Sequence, residues 1–219
     1  MTGRRLLLAS GNPGKLEEVR WLLEPVGVAV VSPREVGWPA EVEEDGLTLE
    51  ANAAKKARAG FQATGLATLA DDTGLFVDAL AGVPGVHSAR YAGPEADPAA
   101  NCAKLLRELS GVSGDQRGAE FRCVLALVPG AIPWEGGGPG PESVTEPIRL
   151  VSGVCRGRIR NDLRGEAGFG YDPLFQPEGS RLTFAEMPAA KKNAISHRGR
   201  ALAALLQFLK LERTRDERV

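Results

Sequence analysis

The sequence predicts an α/β fold, and three observations support this class. The chain opens in the order strand, tight turn, helix, strand within residues 5–31, which is typical of α/β proteins. Short apolar runs at 66–70, 121–128 and 148–154 have the length of buried strands. Segments with leucine or alanine at three- and four-residue spacing separate most of these runs, as expected for amphipathic helices.

The first strand is predicted over 5–9, because this apolar segment ends at the Gly-Asn-Pro-Gly turn 11–14. A helix follows from Lys15. Its inward positions are Leu16, Val19, Leu22 and Leu23. Pro25 ends this helix, and residues 26–31 are predicted to form the second strand.

The next segment, 32–47, is a loop rich in proline, glycine and acidic residues. Thr48 can cap a helix that runs to about residue 64. The third strand is predicted over 66–70 and ends at the Asp-Asp-Thr-Gly sequence 71–74. A carboxylate pair is therefore expected at the end of a buried strand.

The second half of the chain is predicted from the same patterns. Its elements are a helix over 97–109, strands over 121–128 and 148–154 that pair like a hairpin, and a helix from the N-cap Ser196 to about residue 211. Residues 129–147, heavy in glycine and proline, are interpreted as a surface insertion without chemistry, and 212–219 as a frayed tail. With no repeat or linker in view, residues 1–219 are predicted to form one domain.

Composition limits the function classes. The net charge of −1 offers no broad basic surface, so neither nucleic acid nor a membrane is expected as a partner. No apolar stretch reaches membrane-spanning length, and the N-terminal one is too short for a signal peptide. Three widely spaced cysteines, Cys102, Cys123 and Cys155, argue against a disulfide framework and a CxxC metal site. A cytoplasmic location is expected.

The first candidate site is the glycine-rich turn between the first strand and helix. It consists of Ser10, Gly11, Asn12, Pro13, Gly14 and Lys15. Backbone N–H groups and the positive end of a helix dipole favour anions at such a turn, and Lys15 adds a point charge. The sequence is not a Walker P-loop, since Leu16 follows the lysine. Phosphate binding and an ordinary tight turn both remain open.

The second candidate site is acidic. Its residues are Glu41, Glu43, Glu44 and Asp45 before one helix, and Asp71 and Asp72 at a strand end. Ligand sites in open α/β sheets lie at the carboxyl ends of strands, and a carboxylate pair there suits Mg²⁺ with substrate phosphates. The alternatives are a solvated loop for the glutamates and a turn cap for Asp71 and Asp72.

Two further segments carry candidate ligands. In Gly-Phe-Gly-Tyr-Asp-Pro at 168–173, an aromatic ring between two glycines can stack on a base or fold into the core. In 191–198, the N-cap Ser196 places His197 and Arg198 in the first helical turn, where positive charge opposes the helix dipole. That local cost suggests use in ligand binding, against an unoptimised surface helix as the alternative.

Together these segments resemble the inosine triphosphate pyrophosphatase family, which acts on non-standard purine nucleoside triphosphates. The matching segments are SGNPGK at 10–15, EEDG at 43–46, LADDTGL at 69–75, VPGVHSARYAG at 83–93, GFGYDP at 168–173 and KNAISHRGRAL at 192–202. They follow the family's order over nearly the whole chain. Thr73 stands where serine is usual and keeps the hydroxyl of a substrate-binding position.

The resemblance implies the following roles. Ser10, Gly11, Asn12, Pro13, Gly14 and Lys15 would hold the triphosphate, together with Lys192. Glu44 and Asp72 would bind Mg²⁺, and Asp72 would also be the base that activates water. Phe169 would stack on the purine, with Gly170, Tyr171 and Asp172 beside it, and His197 and Arg198 would read its 6-keto edge.

The resemblance also implies a fold and a reaction. The fold is an elongated central mixed sheet flanked by helices in two lobes, with a substrate cleft between them, and members are usually homodimers. The reaction is Mg²⁺-dependent hydrolysis of ITP, dITP and XTP to the monophosphate and pyrophosphate, which clears such nucleotides from the pool. For the chemical step, our hypothesis is direct attack of water on the α-phosphorus with pyrophosphate leaving. An aspartate is a weak base at neutral pH, so metal assistance is expected.

Rival functions stay open on the sequence. An aspartyl-phosphate phosphatase would release inorganic phosphate, but it needs an Asp-x-Asp spacing that Asp71-Asp72-Thr73 lacks. A nucleotide-binding regulatory module would bind ITP without turnover. A pyrophosphatase for modified pyrimidines is disfavoured by the Ser-His-Arg segment 196–198.

Overall fold

A computed structural model describes residues 4–39, 42–95, 97–129 and 148–216. Within these ranges strands and helices alternate in the first part of the chain, up to the third strand. In order they are β1 (Arg4–Leu8), α1 (Pro13–Leu23), β2 (Val28–Val31), α2 (Leu49–Thr64), β3 (Thr68–Val77), β4 (Pro84–Gly85), α3 (Pro98–Glu108), β5 (Gly118–Val128), β6 (Arg149–Ile159), β7 (Phe175–Pro177), α4 (Ala189–Ile195) and α5 (His197–Asp216). In the described part of the chain, no helix is long and apolar enough to span a membrane.

The strands form one mixed sheet in the order β2-β1-β3-β5-β6-β7, with β4 paired to β3. β1 runs parallel to both β2 and β3, whereas β4 is antiparallel to β3 and β7 is antiparallel to β6. This arrangement confirms the predicted α/β class with a central mixed sheet. The predicted cleft between two lobes stays a prediction.

The chain divides into two compact units. The first unit takes the described residues within 1–72, 124–152 and 201–219, and the second takes 73–123 and 153–200. In the first unit, Leu7 and Leu69 are fully buried, and α2 buries a stripe that includes Ala53 and Ala57. The second unit has a core of its own that includes Leu75, Phe175 and Phe184. Each unit therefore has apolar packing of its own to support polar side chains.

The predicted helices are confirmed where the sequence supplies a cap. Thr48 accepts a hydrogen bond from Ala51 N at 3.1 Å and begins α2, and Asp97 caps α3 through Ala99 N at 2.9 Å. α1 begins at Pro13, earlier than the predicted start at Lys15, because Asn12 is its N-cap. α5 reaches Asp216, beyond the predicted end near residue 211.

The predicted end of the third strand at residue 70 is wrong, because β3 continues to Val77. Its parallel partner β1 ends first, pairing last at Leu8 with Leu69, and β4 then pairs with β3 at Leu75. The first-unit carboxylates Asp71 and Asp72 therefore lie inside a strand but beyond the carboxyl end of β1. The short strands β4 and β7 were not predicted, since they lack a period-two pattern. The predicted insertion 129–147 lies, after Pro129, outside the described residues.

Candidate functional site

The glycine-rich turn leads directly into α1. Ser10 Oγ accepts from Asn12 N at 3.2 Å, and Asn12 Oδ1 accepts from Lys15 N at 3.1 Å. Gly11, Asn12 and Pro13 are exposed. The turn is thus an N-capped helix start that faces solvent, where an anion would meet the positive end of the helix dipole.

Lys15 is bound to a buried carboxylate. Its ammonium forms an ion pair with Asp71 Oδ1 and donates to Asp71 O at 3.3 Å. Asp71 is fully buried, whereas the Lys15 side chain keeps about 15% of its surface exposed. Asp71 therefore fixes Lys15 at the edge of the turn. The sequence suggested a metal ligand or a turn cap for Asp71, and this ion pair is a third role.

Lys56 is the functional candidate that sequence reasoning missed. Its ammonium lies 2.7 Å from Asp72 Oδ1 and 2.8 Å from Glu44 Oε1, and it donates to Asp71 O at 3.0 Å. Only 8% of this lysine is exposed. We refer to Lys15, Glu44, Lys56, Asp71 and Asp72 as the acidic cluster. It lies entirely in the first unit.

A signal for Lys56 was present in the sequence. The buried residues of α2 are Leu49, Asn52, Ala53, Lys56, Ala57 and Gly60, which is one helical stripe. Asn52 and Lys56 are polar residues on this apolar stripe, one turn apart. A buried lysine is rare unless it is paired, so its position predicts a carboxylate partner.

Asn52 joins the acidic loop to β3. Its Oδ1 accepts from Gly46 N at 2.8 Å, and its Nδ2 lies 3.4 Å from Asp72 Oδ2. Asp45 forms an exposed ion pair with Lys55, and Glu43 is exposed. The loop is thus held so that Glu44, and not its acidic neighbours, faces Asp72. Glu41 lies outside the described residues.

Burial and charge set the ionisation of this cluster. Burial raises the pKa of Asp72 more than the ammonium of Lys56 lowers it. Burial also lowers the pKa of Lys56, but the charges of Asp72 and Glu44 outweigh it, so this pKa lies above its ordinary value. Lys56 therefore stays protonated, and Asp72 is a stronger base than a surface aspartate.

The acidic cluster suits a divalent cation completed by substrate. Glu44 and Asp72 each place an oxygen within 2.8 Å of one point, the Lys56 ammonium, so the two carboxylates converge. Three carboxylates face two lysines, which leaves one negative charge. Among the described residues, no three His, Cys, Asp or Glu side chains are grouped as a full metal-binding set. Mg²⁺ commonly binds one or two protein carboxylates plus substrate phosphates, and Glu44 and Asp72 would supply two such carboxylates.

A second cluster surrounds the turn 168–172. Asp172 Oδ2 accepts from Phe169 N at 2.8 Å and from Lys192 Nζ at 2.7 Å. Gly168 has a φ of 77°, and a Cβ there would lie 2.2 Å from Asp172 Oδ2. Only glycine permits this conformation and this close approach. The Asp172 side chain therefore closes the turn that presents Phe169.

Phe169 is half-buried and lies outside the hydrophobic core, against the alternative that it folds inward. Lys192 Nζ lies 4.9 Å from its ring centroid, and Arg198 Cζ lies 5.5 Å away. We refer to Thr73, Phe169, Asp172, Lys192 and Arg198 as the aromatic cluster. It lies entirely in the second unit.

The start of α5 supplies the buried arginine. Ser196 Oγ accepts from Gly199 N at 3.1 Å, which confirms the predicted N-cap. Arg198 is 1% exposed and places Nη2 3.4 Å from Thr73 Oγ1. A Cβ on Gly199 would lie 1.7 Å from Asn193 O, so only glycine lets α4 approach α5 here. Arg198 is therefore a buried positive charge in the first turn of α5, where the helix dipole disfavours such a charge.

Three predicted ligands have contacts that the sequence did not anticipate. The His197 ring stacks on Phe121, with centroids 4.6 Å apart and planes at 18°. Lys192, expected at the triphosphate, contacts Asp172 and the Phe169 ring. Tyr171 is 5% exposed and donates its hydroxyl to Ser88 O at 2.8 Å. The roles predicted for these three residues stay predictions.

The cysteines are buried and none is disulfide-bonded. Burial raises the pKa of Cys102 and of Cys155 to about 11. These two thiols are therefore protonated and unreactive at neutral pH. Cys102 Sγ lies 3.4 Å from Gly170 O, beneath the turn of the aromatic cluster.

Each cluster, taken within its own unit, has chemistry that suits one part of a nucleotide. Converging carboxylates and lysines suit phosphates with a divalent cation, and an aromatic ring beside arginine and aspartate suits a base. The chain belongs to the Ham1 family, whose sequence model matches residues 6–208.

Named relatives span almost the whole chain. The dITP/XTP pyrophosphatase of Desulforamulus reducens is 49% identical over 208 residues, covering 94% of this chain and 95% of the relative. The dITP/XTP pyrophosphatase of Bacillus subtilis is 43% identical, covering 94% and 97%. Among solved structures, a HAM1 protein from Coxiella burnetii superposes with a TM-score of 0.79 at 39% identity, covering 94% and 98%. The fold and the family resemblance are thereby confirmed.

Proposed function

We propose that this protein hydrolyses ITP, dITP and XTP to the nucleoside monophosphate and pyrophosphate. The observation that carries the proposal is the convergence of buried Asp72 and Glu44 on Lys56, in a chain 49% identical to a dITP/XTP pyrophosphatase. Removal of these triphosphates would keep deaminated purines out of the nucleotide pool. The reaction is a hydrolysis of an acid anhydride.

Mg²⁺ is proposed as the cofactor, held by Glu44 and Asp72. When bound, it would neutralise phosphate charge and acidify the attacking water. Lys56 donates to both carboxylates and thereby fixes their orientation. The positive groups near the turn, Lys15 and the N-terminus of α1, bind the triphosphate with Ser10 and Asn12.

The proposed chemical step is an in-line attack of water on the α-phosphorus. The water oxygen bonds to phosphorus while the bond from phosphorus to the α–β bridging oxygen breaks. The proton of the water passes to the carboxylate of Asp72, which is proposed as the general base. Pyrophosphate leaves carrying the bridging oxygen, and positioning with charge neutralisation supplies most of the catalysis.

The aromatic cluster is proposed to select the base. Phe169 stacks on the purine, Arg198 donates to O6 with His197 nearby, and Asp172 accepts from N1–H. Lys192 donates to Asp172, which keeps that carboxylate an acceptor. Adenine presents an amino donor at position 6 and an acceptor at N1, so each mismatched buried pair would cost about 1–3 kcal/mol.

The assembly and location follow the family resemblance. We propose a homodimer in the cytoplasm whose partner is the small-molecule triphosphate, with no nucleic acid or membrane partner. The modest net charge of −1 supports the last point, since it provides no broad basic surface.

Metal dependence tests the proposal directly. Purified protein treated with EDTA and assayed with ITP is expected to release no pyrophosphate above background, and excess Mg²⁺ is expected to restore release fully. The physical reason is that one residual negative charge in the acidic cluster would otherwise face a polyanion. Pyrophosphate release in EDTA equal to that in Mg²⁺ would exclude the metal. Intact ITP bound in Mg²⁺ would favour the regulatory-module alternative.

A further inference from the structure

The segment VPGVHSARYAG at 83–93 matches the family but received no role from the sequence. Its central residue, Ser88, is 6% exposed and lies in the second unit. Ser88 Oγ accepts from Leu75 N at 2.8 Å and donates to Gly85 O at 2.6 Å. Ser88 O accepts the hydroxyl of Tyr171 at 2.8 Å. One serine therefore links β3, β4 and the turn 168–172.

These bonds complete a ring of contacts around the aromatic cluster. Leu75 follows Thr73 by two residues on β3, and Thr73 lies 3.4 Å from Arg198 Nη2. Arg198 lies over the Phe169 ring, and Phe169 shares its turn with Tyr171. Two sets of contacts thus connect β3 to the turn 168–172. One runs through Ser88 and Tyr171, and the other runs through Arg198.

We infer that Tyr171 and Ser88 are positioning residues that set the base-binding turn relative to β3. This inference rests on the proposed function and revises the role expected for Tyr171. Its hydroxyl is used by Ser88 and its ring is 5% exposed within the hydrophobic core, so it acts through Phe169 and Asp172. Burial raises the pKa of Tyr171, so its hydroxyl remains a donor.

The inference has a physical consequence for selectivity. Arg198 and Asp172 must meet O6 and N1–H of one purine at the same time, and they come from different segments. Hydrogen bonds weaken steeply when their angle or length is wrong. A turn released from Ser88 would still carry Asp172 and Phe169, but it would hold them less accurately against Arg198. Discrimination between bases should therefore fall more than turnover.

The chain offers a matched pair of variants, because it contains only two tyrosines. Tyr171→Phe removes the bond to Ser88 and keeps the ring. Tyr91→Phe removes the bond from the Tyr91 hydroxyl to the carboxylate of Glu108, in the same unit but outside the aromatic cluster. Each substitution deletes one oxygen and one hydrogen bond, so a purely structural effect should be similar in both.

The test measures kcat and KM for ITP and ATP in the wild type and both variants. Tyr171→Phe is expected to lower the ITP-to-ATP ratio of kcat/KM by about tenfold, mainly by raising KM for ITP, as expected for loss of one buried hydrogen bond. Tyr91→Phe is expected to stay within about twofold of the wild-type ratio. Circular dichroism melting curves show whether each variant is folded at the assay temperature.

Ser88→Ala provides a second route to the same linkage, in case Tyr171→Phe does not fold. It removes the acceptor of Leu75 N–H, loosens Ser88 from β3, and is expected to lower the ratio in the same direction. An unchanged ITP-to-ATP ratio of kcat/KM in a folded Tyr171→Phe, or an equal fall of this ratio in Tyr91→Phe, would overturn the inference. Neither result would affect the proposed function. No pyrophosphate from the wild-type protein would overturn the proposed function and the inference with it.

Discussion

Replacing Asp72 with asparagine is expected to reduce kcat for ITP hydrolysis by about 10²–10⁴-fold, the range typical for loss of a general base. Asparagine has almost the same shape but cannot accept the proton of the attacking water. The change also removes one of the two carboxylates that converge on Lys56. Pyrophosphate release at saturating ITP and Mg²⁺ measures the effect.

The control for this change is Asp78→Asn. Asp78 forms an exposed ion pair with Arg156, at 2.9 Å, and takes no part in the acidic cluster. An exposed ion pair contributes little to stability, so this variant is expected to keep wild-type kcat within about twofold. A folded Asp72→Asn protein that turns over ITP at a near-normal rate would refute the assignment of the base.

The second large effect is expected for Arg198→Met. Methionine fills a similar length but removes the proposed donor to O6, and one buried polar contact is worth about 1–3 kcal/mol. The kcat/KM for ITP is therefore expected to fall about 10- to 100-fold. ATP offers no acceptor at position 6, so its kcat/KM should change less, and parallel assays with both substrates measure the ratio.

Arg200→Met is the matched control on the same helix turn. Arg200 is exposed and donates to Val154 O at 2.7 Å, away from the aromatic cluster. The ratio of kcat/KM for ITP to kcat/KM for ATP in Arg200→Met is expected to stay at the wild-type value. If Arg198→Met lowers kcat/KM for ITP and for ATP equally, then Arg198 stabilises the fold or binds the phosphates and does not recognise the base.

The elements that sequence predicted well are those whose ends are set locally. Thr48 begins α2 because its own hydroxyl accepts from Ala51 N, and Ser196 begins α5 in the same way through Gly199 N. A cap is formed by residues within three positions, so it can be read without knowing the fold. The motif residues of both clusters were found for a similar reason, since each motif is a short segment.

Strand ends and pairings were less predictable, because neighbouring strands decide them. β3 continues past Asp72 since β4 pairs with it at Leu75, and no local signal at Asp72 reports a strand 13 residues away in sequence, at Gly85. Lys56 belongs to none of the motifs, and its role depends on Glu44 and Asp72 from two other segments. Such partners become visible only when the chain is folded.

The same reason explains Tyr171 and Ser88. The sequence places them 83 residues apart, and their motifs look independent. Only the structure shows that the tyrosine of one motif is fixed by the serine of the other.

The central claim is that water attacks the α-phosphorus of a deaminated purine triphosphate, and hydrolysis of ITP in ¹⁸O-labelled water tests it most directly. The account predicts one ¹⁸O in the phosphate of IMP and none in pyrophosphate, by mass spectrometry of both products. Label in pyrophosphate would place the attack on the β-phosphorus, and release of inorganic phosphate with IDP would place it on the γ-phosphorus. Either result would contradict the proposed reaction.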